Sequence, residues 1–337
     1  WRSPCAARRA ARLRVTMASF SNTICGRIAR RDGAVRAAVL FGRARHAILV
    51  RSRCTAAHQA PPTGAQAWAT VHRLQQMSPT TKGLCLRLDA PEPGAPAFAF
   101  EPGQWLDVHI PAINEVGGYS IASLPNELPL LDLAVKASAH PPAAWCTRSA
   151  KVGDRVAIQV GGKFVLREAE AALFVAGGVG ISPLYGMLRA WCLRAGTHSR
   201  AALLFAARSR AERLFATQLE GLAREHPERL RVSIHTTREP PQPAAVAAGP
   251  GIVGGAQGRI GESDLETALR WIGCEANAVL ERRAVPWQDT RARQPGTAAL
   301  ATAATAAYVC GPARMTDDVV GTLKRMGVPH VYSEQWW

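Results

Sequence analysis

Between about residue 66 and residue 165, short segments with alternating apolar and polar side chains are separated by turn residues. Trp105–Ile110 is the clearest of them, because its side chains alternate with the period of a half-buried β-strand. Further segments of this kind lie at Ala67–Val71, Leu84–Leu88, Tyr119–Ala122, Leu131–Val135 and Val156–Val160. Such closely spaced short strands predict a small antiparallel β-barrel over residues 66–165.

From residue 170 to residue 337 the pattern changes to apolar runs that alternate with segments of helical period. The runs predict strands at Leu173–Ala176, Ala202–Ala207, Leu230–His235, Tyr308–Cys310 and Val331–Ser333. The periodic segments predict helices at Pro183–Ala195, Glu212–Glu225, Glu262–Trp271 and Met315–Met326. This alternation predicts an α/β domain with a five-stranded parallel sheet and helices on both faces. Residues 240–258 and 282–305 lack apolar periodicity, and we expect irregular loops there.

Most of the positive charge lies in the first 60 residues. The chain has a formal net charge of +16, yet residues 1–60 contain 13 arginines and a single acid, Asp32. The remainder has a net charge of only +4, so it lacks the basic face that a nucleic-acid-binding domain needs. An arginine-rich, acid-poor leader fits a mitochondrial transit peptide, and a disordered basic tail is the alternative. We therefore expect a mitochondrial protein with no nucleic-acid partner.

Neither a membrane span nor a metal site is expected. The chain has no run of about 18 apolar residues, the length that a transmembrane helix requires. Its eight cysteines form no C-x-x-C pair and show no zinc or iron–sulfur spacing. Reduced thiols and the absence of a metal are therefore the expectation.

A glycine-rich turn joins the first predicted parallel strand to the following helix, over residues 177–183. We expect Ser182 to cap that helix and Pro183 to be its first residue. The N–H groups at a helix start favour phosphate, and glycines let a pyrophosphate approach the backbone. Pro183 stands where G-x-G-x-x-G has its third glycine, so a purely geometric role for the turn stays open. Two further turns, Arg208–Arg210 and Cys310–Pro312, follow other parallel strands and converge on the same predicted edge.

The barrel followed by a nucleotide-type domain, with the motifs Gly177–Leu184 and Val309–Met315, resembles the ferredoxin–NADP reductase superfamily. The segments Gly117–Ser120, His140–Trp145 and Glu334–Trp337 carry a closer match within it. The resemblance covers residues 66–337 apart from the two irregular stretches. It implies an NAD(P)H-dependent flavoprotein-type oxidoreductase, in which hydride passes from the nicotinamide to a flavin, FAD in this family, and on to an unknown electron acceptor.

The resemblance also implies roles for individual residues of the α/β domain. The dinucleotide pyrophosphate would lie on Gly177, Gly178, Val179, Gly180, Ile181, Ser182 and Pro183. Cys310, followed by Gly311 and Pro312, would lie beside the nicotinamide as a catalytic residue, and a buried structural cysteine is the alternative. Arg208 would touch the adenosine ribose or its 2′-phosphate, and a solvated arginine is the alternative. No acid is present there to bind a ribose diol, so the choice between NAD and NADP stays open.

In the barrel, the family holds flavin through an Arg-x-Tyr-Ser/Thr motif. Tyr119 would stack on the ring and Ser120 would reach the redox nitrogen as a catalytic residue, but Gly117 replaces the arginine. An ordinary strand tyrosine is the alternative for Tyr119. Losing an arginine–phosphate pair weakens binding, so flavin is expected to bind weakly unless Lys136 or Arg148 replaces that charge.

Two further family elements bear on the cofactors. The family's Gly-x-x-Ser/Thr phosphate turn is replaced by Pro141 and Pro142, which donate no N–H. Trp337 would cover the flavin ring, and Glu334 would match an acid near the nicotinamide; a tail packed on the sheet is the alternative. The leading hypothesis is an NAD(P)H-dependent flavoprotein reductase. The alternative is an NAD(P)-binding protein with weak or no flavin binding and no turnover.

Overall fold

The computed structural model describes residues 66–91, 93–194, 199–239, 252–274 and 305–336. These residues form an antiparallel barrel followed by a parallel sheet with helices on both faces, which confirms the predicted fold class. Both parts belong to one compact unit. The predicted targeting segment 1–60, residues 282–304 of a predicted loop and Trp337 lie outside the described residues.

The barrel is one closed sheet. Its strands are β1 (Ala67–Ser78), β2 (Thr81–Leu88), β3 (Trp105–Ile110), β4 (Glu115–Ser120), β5 (Leu130–Lys136) and β6 (Arg155–Gly161). They lie in the order β4-β3-β6-β1-β2-β5, and a bridge from Ile121 to Leu133 joins the two ends. Strand β4 begins four residues before the predicted segment, because its Gly117-Gly118 pair gives no β-type pattern in the sequence. A short helix, α1 (Pro141–Ala144), continues into a wider turn at Trp145–Ser149 and lies against β4.

The second sheet is parallel throughout. Its strands are β7 (Ala171–Gly177), β8 (Arg200–Ala207), β9 (Leu230–Thr236), β10 (Ile252–Gln257), β11 (Thr305–Pro312) and β12 (His330–Trp336), in the order β10-β9-β8-β7-β11-β12. Helices α2 (Ile181–Leu193) and α3 (Ala216–Glu225) pack on one face. Helices α4 (Glu262–Trp271) and α5 (Ala313–Arg325) pack on the other. All seven residues of β7 are buried, as expected for a central strand covered on both faces.

The parallel sheet has one strand more than the five predicted from the sequence. The additional strand, β10, lies within residues 240–258, where the sequence predicts an irregular loop, and it pairs with the edge of β9. Two of its six residues are glycines, which remove the apolar periodicity on which the prediction depends. Helix α3 also begins later than predicted, at Ala216, because Arg210–Glu212 forms a separate 3₁₀ turn.

Polar side chains connect the barrel to the parallel sheet. The hydroxyl groups of Ser78 and Thr80, at the β1–β2 turn, both donate to Oε2 of Glu212 at 2.8 Å. Arg189 of α2 donates to both carboxylate oxygens of Glu127, at 2.9 and 2.6 Å. The same carboxylate accepts the N–H of Leu124 at 2.7 Å. These bonds fix the position of the barrel against α2 and the turn after β8.

Replacing Glu127 with glutamine tests the ion pair. Hydrogen bonding to Arg189 holds the pKa of Glu127 below its usual range. Its stabilising contribution is therefore complete above the pKa of the unfolded chain and is lost as the pH falls through the folded pKa. We expect Glu127→Gln to lower the free energy of unfolding by about 0.5–1.5 kcal/mol at neutral pH, measured with urea. The difference from the parent chain should shrink below about pH 4. Glu115→Gln, on an exposed carboxylate of β4, is the control; an equal loss in both variants would contradict the prediction.

Candidate functional site

The glycine turn leads from β7 into α2 through one 3₁₀ turn, Gly178–Gly180. Gly178 has a φ of +55°, in the left-handed region that favours glycine. Helix α2 begins at Ile181, so the prediction that Ser182 caps it is wrong. The 3₁₀ turn runs directly into the helix, which places Ser182 in the first helical turn and leaves no extended residue there to act as a cap. Pro183 is the third helical residue rather than the first, still within the turn where a missing N–H costs nothing.

Only part of this turn is open to a ligand. Gly178 and Val179 are partly exposed, whereas Ile181, Ser182 and Pro183 are buried. The turn contacts β8, β11 and the barrel strand β5. Dinucleotide binding by Gly178 and Val179 stays a prediction, and their partial exposure favours it. The buried residues Ile181, Ser182 and Pro183 pack inside the domain.

Three glycines of these turns, Gly177, Gly180 and Gly311, lie where two stretches of backbone meet. A Cβ on Gly180 would overlap the carbonyl oxygen of Cys310 and lie 2.8 Å from the Cα of Gly311. A Cβ on Gly177 would lie 2.6 Å from the Met315 sulfur, and one on Gly311 would lie 3.1 Å from the Cα of Gly177. The absent side chains therefore let the glycine turn and the Cys-Gly-Pro turn touch each other. We call this backbone contact between Gly177, Gly180 and Gly311 the glycine contact.

Cys310 is fully buried near the end of β11, on the sheet face that carries Tyr308. The neighbouring strand β12 places Glu334 in register with Cys310, and parallel strands direct paired residues to the same face. Burial raises the pKa of Glu334 to about 7. Its buried Oε2 finds no hydrogen-bond partner among the described residues. An acid that holds its proton near neutrality therefore lies one strand from Cys310.

Arg208 is exposed directly after β8, at the predicted edge. Lys136, the last residue of β5, pairs with Thr81, and the preceding Thr80 bonds to Glu212 in the turn after β8. Burial lowers the pKa of Lys136, and the nearby Arg208 lowers it further, whereas Glu212 opposes the shift. The two cations are thus close enough to repel each other, and an anion bound between them would relieve that repulsion. Sequence reasoning named Lys136 only as a flavin partner, because nothing in the sequence relates a barrel strand to the turn after β8.

At Gly117, the first position of the barrel's flavin-type motif, neighbouring side chains fill the space where an arginine would lie. Tyr119 contributes to the barrel core, and its hydroxyl lies over Gly117. A Cβ on Gly117 would lie 2.6 Å from that hydroxyl oxygen and 2.7 Å from the Cβ of Pro142. The hydroxyl is buried beside Cys146, and burial raises the pKa of Tyr119. Ser120 is almost fully buried on the opposite face of β4, paired with Trp105.

Helix α1 likewise offers little to a phosphate. Its first two residues are prolines, and the N–H of Ala144 is already bonded to the carbonyl of His140 at 2.9 Å. Pro142 packs against the site of the missing arginine, where the family would need space for a phosphate. The residues present therefore do not fit the phosphate part of a flavin dinucleotide in the family's manner.

The described ranges meet neither of two requirements, a helix that can span a membrane and a cluster of metal ligands. No helix in them has the length and apolar character to cross a membrane. Nor do these ranges contain a group of three or more His, Cys, Asp and Glu side chains that could hold a metal ion.

Comparisons with known proteins agree with this architecture. A family model described as an oxidoreductase NAD-binding domain matches residues 174–251. Among solved structures, the cytochrome b5 reductase domain of Ulva prolifera nitrate reductase superposes with a TM-score of 0.58 at 20% identity, covering 80% of this chain and 97% of that one. A ferredoxin NADP+ reductase from Neisseria gonorrhoeae with bound FAD and NADP gives 0.55 at 17% identity, with 80% and 98% coverage. At these identities the likeness shows the fold.

The identity and coverage of its sequence relatives establish the family to which the chain belongs. The chain is 31% identical over 279 residues to oxidoreductase NAD-binding domain-containing protein 1 of Bos taurus, covering 77% of each protein. It is 32% identical over 259 residues to the protein of the same name from Homo sapiens, covering 71% of this chain and 72% of the relative. With this coverage and a matching barrel, glycine turn and Cys-Gly-Pro turn, the chain belongs to the oxidoreductase NAD-binding domain-containing protein 1 family, which has the ferredoxin–NADP reductase fold.

Proposed function

We propose that this chain is an NAD(P)H-dependent oxidoreductase that binds the dinucleotide across the carboxyl edge of its parallel sheet. The observation that carries the proposal is the glycine contact, which joins the turns after β7 and β11, together with the partial exposure of Gly178 and Val179 beside it. Open α/β sheets bind ligands at this edge. Helix α2 begins at the same edge, and the positive end of its dipole favours the negative charge of a pyrophosphate.

The chain's own groups suit the two ends of such a ligand. Arg208 and Lys136 would bind the adenosine end, and their mutual repulsion favours a dinucleotide that carries a 2′-phosphate. At the other end, the Glu334 carboxyl holds a proton near neutral pH beside the strand that carries Cys310. We propose that Glu334 supplies this proton when an acceptor has taken up hydride.

A flavin-dependent reductase is the second candidate. Tyr119 and Ser120 keep the residue types of the family's flavin motif, and the Neisseria gonorrhoeae relative in fold contains bound FAD. Against it stand the closed position at Gly117 and the two prolines of α1. We therefore propose that the barrel holds no flavin tightly and that the hydride acceptor enters from solution.

Two glycine substitutions separate ligand binding from folding. A Cβ at Gly178 would meet no atom within 4 Å, so Gly178→Ala costs only the left-handed strain of about 1–2 kcal/mol. We expect it to stay folded and to lose about tenfold in NADPH affinity by calorimetric titration, because its methyl group occupies the pyrophosphate approach. Gly180→Ala should instead lower stability by about 3 kcal/mol, since its Cβ meets the Cys310 carbonyl.

Gly153→Ala is the matched control for Gly178→Ala. Gly153 also has a positive φ, +95°, and open space around it, but it lies in the turn before β6. It should lose stability and keep its NADPH affinity. Equal NADPH affinity in Gly178→Ala and Gly153→Ala would refute the assignment of the turn.

The cation pair predicts a preference between the two dinucleotides. We expect NADPH to bind more tightly than NADH, and Arg208→Gln to remove about 1.5–3 kcal/mol from NADPH binding while leaving NADH nearly unchanged. Arg224→Gln removes an exposed arginine from the far end of α3 and serves as the control for net charge. A loss of the same size for both dinucleotides would show that Arg208 does not recognise the 2′-phosphate.

The closed flavin motif predicts a colourless protein. Purified chain should show no flavin band in its visible absorption spectrum, and added FAD should be removed by gel filtration. Gly117→Arg should not improve retention, because Tyr119 and Pro142 already fill the space next to Gly117, and the melting temperature should fall. A yellow protein, or FAD retained by Gly117→Arg, would favour the flavin-dependent candidate.

A further inference from the structure

A cavity of about 260 Å³ lies between the barrel and the α2–α3 side of the parallel sheet. No residue of the glycine turn or of the Cys-Gly-Pro turn lines it. One wall is aromatic, because Tyr185 of α2 and Phe215 stack with ring centroids 4.3 Å apart and planes 12° apart. Met77 and Leu133 add apolar surface. The cavity therefore has the flat apolar wall that suits a planar ring.

The backbone of Phe215 is held in an unfavourable conformation at this wall. Its φ and ψ are 57° and 19°, in the left-handed region, immediately before α3. For a residue with a large side chain this costs on the order of 1–2 kcal/mol. Such strain is concentrated at ligand clamps and active sites. Here it directs the Phe215 ring onto Tyr185 at the cavity wall.

The two arginines that line the cavity differ in how closely they are paired with a carboxylate. Arg189 is firmly paired, since it makes two short hydrogen bonds with the Glu127 carboxylate, at 2.9 and 2.6 Å. Arg73 is held more loosely, because its nearest approach to Asp132 is 3.5 Å and both side chains are about half exposed or more, 62% and 48%. Charge-assisted hydrogen bonds are normally about 2.7–2.9 Å long. Arg73 therefore keeps donor capacity for an anion at the cavity wall.

We propose that this cavity is a second binding site, separate from the dinucleotide edge, for a planar aromatic carboxylate. The ring lies against Phe215, and the carboxylate accepts hydrogen bonds from the guanidinium of Arg73. The planar fork of arginine matches a carboxylate in a bidentate manner. Beyond its 3.5 Å contact with Asp132, Arg73 keeps N–H donors for one carboxylate, and Glu127 and Asp132 at the same cavity disfavour a more highly charged anion.

The test uses the full chain and two probes of equal shape, 2-naphthoate and its neutral amide, 2-naphthamide, titrated by saturation-transfer NMR. We expect naphthoate to bind about tenfold more tightly than the amide. Arg73→Gln should abolish that difference, whereas Arg87→Gln, which removes an exposed arginine of β2 outside the cavity lining, should preserve it. Phe215→Leu should weaken both probes, and circular dichroism verifies the fold of each variant.

Several results would overturn the proposal. They are equal affinity for the two probes, an unchanged difference in Arg73→Gln, or no binding of naphthoate at millimolar concentration. Saturating NADPH should not displace naphthoate, because the cavity contains no residue of the dinucleotide edge. Displacement would place the probe at that edge and would also contradict a second site. If Phe215→Leu does not fold, Arg73→Gln and Arg87→Gln still decide the question.

Discussion

The close approach of two backbone turns determines the geometry of the candidate site. Gly177, Gly180 and Gly311 bring the ends of β7 and β11 so near that no Cβ fits between them. Because the turns touch, the start of α2 and the start of α5 open onto the same edge of the sheet. A side chain therefore has no room at Gly177, Gly180 or Gly311, where the two turns touch. Gly178 differs, because the space next to its Cα is open and could admit a ligand.

The barrel contributes residues to the carboxyl edge of the parallel sheet. Lys136, at the end of β5, stands beside Arg208, and Glu212 between the two halves accepts hydrogen bonds from Ser78 and Thr80. Glu212 therefore has two effects: it fixes the barrel to the turn after β8 and it moderates the repulsion between the cations. A change in the position of the barrel would alter the charge at the adenosine end of the proposed dinucleotide site.

Strand and helix patterns in the sequence were sufficient for the fold, including the exact limits of β3 and α4. They failed where glycine removes the apolar pattern, as in β10 and the first half of β4, since hydrogen bonding to a neighbouring strand decides the conformation there. The site was predicted less completely. Motif order indicated the glycine turn, but its burial pattern and the role of Gly180 depend on a contact with Cys310, 130 residues away. Likewise, no local pattern relates Lys136 to Arg208.

Two positions at which this chain differs from the family's flavin motif, Gly117 and Pro142, pack against each other. Without an arginine at position 117, a gap would remain beside β4, and Tyr119 and Pro142 fill that space together. Proline at the start of α1 is acceptable there because the first N–H groups of a helix have no partner within it. Filling the gap keeps the barrel core dense, and it leaves the Tyr119 hydroxyl buried beside Cys146. Packing of the core thus accounts for the substitutions at Gly117 and Pro142 together, so that restoring the arginine alone would meet both Tyr119 and Pro142 before it could reach any phosphate.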